Sequence, residues 1–177
     1  MSSAPTRSRT ARTSVGFAWQ PVSTASYPLC AEVPGDLAPA DRAAWIYRAN
    51  LVAIRSCDIV MANIADFRGV GEPDSGTAFE IGFATALGKD VWAYTPNETT
   101  LAERVAREPC AQGLLCENGF LVEDFGLAVN LMIACAARVV IGGPERCLAA
   151  MAEHYRPGST PSCYRPAGES EIRSVGA

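Results

Sequence analysis

Histidine is nearly absent: the 177 residues contain one, His154. His-based metal sites and Ser-His-Asp chemistry therefore lack parts, and neither a metal nor another cofactor is expected. Cys-x-x-Cys pairs are missing too. The seven cysteines (30, 57, 110, 116, 135, 147 and 163) form an odd set. Most sit in apolar or helical-looking runs, which reads as buried free thiols in a reducing cytoplasm. No run of about twenty apolar residues exists, so no membrane span is expected. An excess of basic charge is lacking as well. The formal charge is −4 and no long stretch of the body is basic, which argues against nucleic acid as a partner. Finally, the first 31 residues hold no Asp or Glu, while Arg7, Arg9 and Arg12 stand among many Ser and Thr. That composition faintly resembles an organelle transit peptide; the plainer reading is a divergent or disordered leader. What is abundant is core material: 49% of residues are hydrophobic and 19% charged. This suits one compact domain with short tails.

From about residue 40, helical and strand-like patterns alternate. Residues 41–56 read as a helix with Trp45, Ala49, Val52 and Ala53 on one stripe. Residues 58–64 fit a strand buried on both faces. Residues 76–87 form a second expected helix, closed by Gly88, and 91–95 the next strand. Thr100 and Glu103 have capping-box spacing at the head of a helix running through Arg107. Residues 113–122 give no clear assignment. Residues 126–137 read as helix, 139–141 as strand, and Pro144 opens a last helix reaching about Tyr155. The expected organisation is a divergent or disordered segment over 1–26, a domain over 27–156 and a flexible tail over 157–177. Strands alternating with helices imply a doubly wound α/β fold with a parallel sheet. Ligands bind such sheets beyond the carboxyl ends of the strands, here after Ile64 and after Thr95.

After Ile64 comes the most unusual stretch. A loop with Gly69, Gly71 and Pro73 leads into Asp74-Ser75-Gly76-Thr77 at a helix start. Asp74 reads as an ordinary N-cap residue. Glu80 does not fit so easily, because Ala78, Phe79, Ile81, Phe83, Ala84 and Leu87 surround it with apolar side chains. An ionised carboxylate there is costly without compensation. Either Glu80 has a structural partner, its own helix start or an arginine such as Arg68, or it is a functional carboxylate in a cleft. Two carboxylates at one strand end fit glycosyl transfer, in which one attacks the anomeric carbon and a second group protonates the leaving group.

These residues and their flanks resemble the nucleoside 2-deoxyribosyltransferases, in the branch with a Phe-Arg-Gly loop. The likeness is carried by Ile46-Tyr47-Arg48-Ala49-Asn50, by 57–63, by Phe67-Arg68-Gly69 and by 73–82, with Ala86-Leu87-Gly88-Lys89 and 126–133 following in order. It implies a flavodoxin-like sheet and movement of 2-deoxyribose between bases by double displacement, on small-molecule deoxynucleosides and nucleobases. By resemblance Glu80 is the nucleophile and Asp74 handles the base proton. Asn50 binds the base, and Asn130 reaches the sugar 5′-hydroxyl from a neighbouring subunit, which implies a homo-oligomer with shared sites. Asn63, Phe67 and Gly76 complete the expected substrate-binding set, Phe67 by stacking on the base.

Two departures lie near the start. The family's first strand ends in a Tyr-x-Ala-Gly-Pro-like motif, whereas the nearest run here is Val15-Gly16-Phe17-Ala18-Trp19. The expected Pro-Leu-Asp-x-Glu appears as Pro28-Leu29-Cys30-Ala31-Glu32. A divergent or incomplete first strand and helix are therefore expected. The alternatives to transfer are an N-glycosidase acting on deoxynucleoside 5′-monophosphates, or a degenerate homologue that binds nucleosides without turnover. Asp124-Phe125-Gly126 matches the kinase metal-binding tripeptide, but no Gly-rich or catalytic loop accompanies it.

Overall fold

The computed structural model describes residues 33–156. The expectations for the leader, for the divergent first strand and helix, and for the tail over 157–177 lie outside the described residues.

Helix α1 spans Pro39–Ser56, two residues earlier than expected because Pro39 fits the first helical turn. Strand β1 (Ile59–Asn63) leads to helix α2 (Ser75–Ala86) and strand β2 (Asp90–Thr95). Gly88 closes α2 with φ +68°, as its position implied. Helix α3 (Leu101–Val105) opens with the full capping box: Glu103 N donates to Thr100 Oγ1 at 3.2 Å and Thr100 N to Glu103 Oε2 at 2.7 Å.

There the sequence reading needs correction. The helix does not run through Arg107; the chain turns into strand β3 (Ala106–Cys110), followed by β4 (Gly113–Cys116) and β5 (Leu121–Val122). These make a small antiparallel sheet in the order β3-β4-β5. Pro109 lies on the edge strand β3, where a missing N–H is tolerated. Asn118-Gly119 makes the second hairpin, with Gly119 at φ +77° and its N–H on Cys116 O at 2.9 Å. A second correction concerns 126–137. Helix α4 covers only Leu131–Ala136, because Asn130 is its N-cap. Gly126 has φ +68°, and Leu127 O accepts from Leu101 N at 2.7 Å, so this segment spends its backbone on α3. Strand β6 (Arg138–Ile141) and helix α5 (Pro144–His154) finish the described chain.

The main sheet has the order β1-β2-β6, and both pairings are parallel. On one face Ala62, Ile64, Val91 and Ala93 pack with Ile54 of α1, Ile81 and Ala84 of α2, and Ile133 of α4. Side chains alternate along a strand, so Trp92 points the other way, and there it meets His154 and Tyr155 at the end of α5. Tyr155 Oη donates to Asp90 and accepts from Trp92 Nε1, while Arg138 pairs with Asp90 at 3.3 Å. Burial and the neighbouring carboxylate push the Tyr155 hydroxyl above its usual range. Among the described residues this is an α/β fold with a three-stranded parallel sheet flanked by helices, in line with the doubly wound, flavodoxin-like expectation. No helix among the described residues is long and apolar enough to cross a membrane. Cys57, Cys110 and Cys116 carry half-buried free thiols, and Cys147 on α5 is wholly buried.

Candidate active site

The chain leaves the sheet at Ile64, which is fully buried, with its N–H on Tyr94 O at 2.9 Å. Asn63, at the carboxyl end of β1, accepts from Ala65 N through Oδ1 at 3.0 Å and so shapes the exit. The loop then folds back on itself. Phe67 N donates to Glu72 O at 2.9 Å and Glu72 N to Gly69 O at 3.2 Å. Gly71 sits beneath α3 with φ +82°, and a Cβ there would lie 2.5 Å from Val105 and 2.6 Å from Leu101. Only glycine permits both that conformation and that approach. The loop presents Phe67, 60% exposed, with the Arg68 guanidinium 4.9 Å from its ring centroid.

Asp74 caps α2 by accepting from Thr77 N at 3.1 Å through Oδ2. Gly76 lies so close that an added Cβ would meet that oxygen at 2.8 Å. Alanine ordinarily favours a helix over glycine, so Gly76→Ala separates fold from site. The methyl group displaces the flexible carboxylate rather than the backbone. Any activity carried by Asp74 is expected to drop by roughly tenfold or more, while the gain in helix propensity and the loss of the cap bond roughly offset in the melting temperature. A parallel loss of rate and stability would show that Gly76 serves the helix alone.

Glu80 lies farther along α2. Ile81 and Ala84 take the buried side of that helix and Phe79 stays 52% exposed, so Glu80 is half-buried. Asn50 of α1 reaches across and donates from Nδ2 to Glu80 Oε1 at 2.9 Å. The Asn50 oxygen is buried and has no hydrogen-bond partner among the described residues. Burial holds the Glu80 carboxyl above the ordinary carboxylate range. The Asn50 hydrogen bond opposes that shift, and the negative charge of Asp74 adds to it. Among the described residues neither structural alternative for Glu80 is observed: Asp74 caps the helix, and Arg68 lies over Phe67.

Contacts and electrostatics thus join Asn50, Asp74, Gly76 and Glu80, and Asn63 and Phe67 share their strand end. Asn130 is engaged within its own chain. Its Oδ1 accepts from Met132 N at 3.0 Å and its Nδ2 donates to Glu123, whose other oxygen accepts from Leu131 N at 3.0 Å. It is exposed, beside the exposed Met132 and close in sequence to the exposed Phe125. A separate cavity of about 540 Å³, lined by Thr100, Glu103, Arg107 and Asp124 among others, contains none of the expected residues. Among the described residues no three His, Cys, Asp or Glu side chains group so as to hold a metal ion.

Sequence reasoning passed over Asp66, Asn97, Arg104 and Glu123. Arg104 Nη1 bonds both Asp66 oxygens at 2.8 and 3.0 Å, Asn97 Nδ2 bonds Asp66 at 3.1 Å, and Arg104 Nη2 reaches Ala128 O. A signal was present. Leu101, Arg104 and Val105 fall on one helix face, so a charge lay in an apolar stripe.

The model of the nucleoside 2-deoxyribosyltransferase family matches residues 7–132. No curated protein matches the chain. Solved structures do, among them a 2-desoxiribosyltransferase from Leishmania mexicana at 35% identity and TM-score 0.54, over 64% of this chain and 69% of that one. The family match takes in Asn50, both carboxylates and Asn130. With a fold similar to that relative's and a family match across every residue of the candidate site, this chain belongs to the nucleoside 2-deoxyribosyltransferase family.

Proposed function

We propose that the chain moves 2-deoxyribose from one nucleobase to another through a covalent ester on Glu80. The observation that carries this reading is the Glu80 carboxylate, half-buried, oriented by Asn50 and electrostatically coupled to Asp74 at the head of the same helix. In the first step a Glu80 oxygen bonds to the anomeric carbon as the C–N bond to the base breaks. Asp74 delivers a proton to the departing base. In the second step an incoming base attacks the same carbon, the ester C–O bond breaks, and Asp74 takes the proton the new base gives up. Atoms and charge balance without a cofactor.

Phe67, largely exposed, suits a planar base, and the Asn50 oxygen, without a partner among the described residues, suits an N–H of that base. Asn63 and Gly76 act through the backbone and the Asp74 carboxylate they shape. Family membership favours small nucleoside substrates. Asn130, exposed at the head of α4 beside the exposed Met132, favours a homo-oligomer in which a neighbour completes the sugar site. Free thiols favour a reducing compartment such as the cytoplasm.

The deciding experiment follows both sugar and base. Deoxyinosine with free adenine is expected to yield deoxyadenosine faster than free deoxyribose, and ribonucleosides to react poorly. Equal sugar release with and without adenine would make the chain a hydrolase, for which deoxynucleoside 5′-monophosphates are the substrates to try. Binding without any turnover would make it a degenerate homologue.

A further inference from the structure

Arg104 ties two separate segments of the chain together outside the candidate site. Its side chain is 12% exposed, it sits on the inner face of α3, and its guanidinium works as a fork. One arm takes both oxygens of Asp66, the other takes the backbone oxygen of Ala128. Asp66 immediately precedes Phe67, and Ala128 stands two residues before Asn130. Asn97, on the loop after β2, donates to the same Asp66 at 3.1 Å. Leu101 N, one turn earlier on α3, holds Leu127 O at 2.7 Å. The loop after β1 and the segment before α4 therefore converge on one planar cation, and the loop after β2 joins them through Asp66. Gly71, packed under Leu101 and Val105, presses the Phe67 loop onto the same helix.

An exposed ion pair of this kind would contribute little. Here the Arg104 side chain is 12% exposed and that of Asp66 30%, and two nitrogens of one planar group hold Asp66 and Ala128, which fixes direction as well as distance. Phe67 is 60% exposed, so packing alone does not hold its ring, and the loop's attachment at Asp66 sets where the ring stands.

We propose that Arg104 is a positioning residue that sets the Phe67 loop and the segment before Asn130 in one fixed relation, and so governs substrate affinity more than the chemical step. The role of those two residues rests on the transferase reading above.

Arg104→Lys in the full chain keeps the charge and removes the fork; Asp66→Asn keeps the shape and removes the charge. Two readouts are needed. In hydrogen exchange, segments 65–72 and 123–130 should lose protection together in Arg104→Lys, while β1 and α2 keep theirs. In base exchange, KM for donor and acceptor should rise roughly tenfold or more while kcat stays within about threefold, as expected for misplacement of a binding group. Asp66→Asn should move both readouts the same way. Loosening of one segment alone, loosening of the whole chain, or a kcat loss that follows the melting temperature at constant KM would overturn the proposal. If the unaltered chain shows no exchange, the transferase reading fails on its own account and hydrogen exchange still decides whether Arg104 couples the two segments.

Discussion

Glu80→Gln is expected to lower deoxyribosyl transfer by about a thousandfold or more, the scale seen when a nucleophile acting in a concerted set is removed. Glutamine keeps the oxygen that Asn50 grips, so the fold and the Asn50 contact survive while the attacking charge is lost. In the unaltered chain, a deoxynucleoside without an acceptor base should add one deoxyribosyl mass to the peptide holding Glu80, and the variant should show none. The acid side of the kcat/KM profile belongs to the same group. Glu80 must be ionised to attack, and burial holds its carboxyl above the ordinary range. Activity should therefore fail on acidification earlier than an exposed glutamate would allow. Transfer at close to the original rate in Glu80→Gln, or an adduct on a different peptide, would remove Glu80 from its role.

The second large effect is expected at Asp74. Asparagine caps a helix about as well as aspartate, so Asp74→Asn leaves the start of α2 in place and removes only the acid function and the charge. Loss of a positioned general acid costs roughly a hundredfold to ten-thousandfold. The loss should depend on the leaving group. A deoxynucleoside of an N7-methylated purine, whose base is already cationic, should be affected far less than deoxyinosine. The pH profile gives an independent sign. The Asp74 charge is one of the causes that raise Glu80, so its removal should move the acid limb to lower pH. A loss equal for both donors, with an unmoved acid limb, would mean that Asp74 only caps the helix.

Legibility in the sequence followed locality. The capping box at Thr100 and Glu103, the Gly88 helix stop and the N-cap of α2 were readable because each is a pattern within about four residues. The three main-sheet strands were readable for the same reason, as short apolar runs between glycines and caps. The small antiparallel sheet was missed although Asn118-Gly119 is a strong hairpin signal, because its strands are short and Pro109 obscures the first. Helix α4 was overextended because Leu127 and Val129 look periodic; Leu127 O is committed to α3 and Val129 to the core. At the site, Glu80 stood out as a carboxylate among apolar side chains, whereas Asp74 read as an ordinary N-cap and drew notice only as a second carboxylate at the same strand end. The Asn50–Glu80 hydrogen bond joins positions thirty residues apart, and nothing local announces it. Arg104 bonds residues 38 and 24 positions away from it, which only the folded chain can display.

The burial that lifts the Glu80 carboxyl also acts on the folding equilibrium. A group whose pKa is higher in the folded chain than in the unfolded one binds its proton more tightly when folded. Its stabilising contribution is complete below the unfolded value and is lost as pH rises through the folded one. The charge that makes Glu80 reactive is thus the form the fold holds less well. With Glu80 ionised the chain is ready for chemistry in a state less stable than with Glu80 protonated, and the site is maintained against the fold's preference. Glu80→Gln, inert in transfer, should accordingly melt higher than the unaltered chain near neutrality, and that advantage should shrink as the solution is acidified.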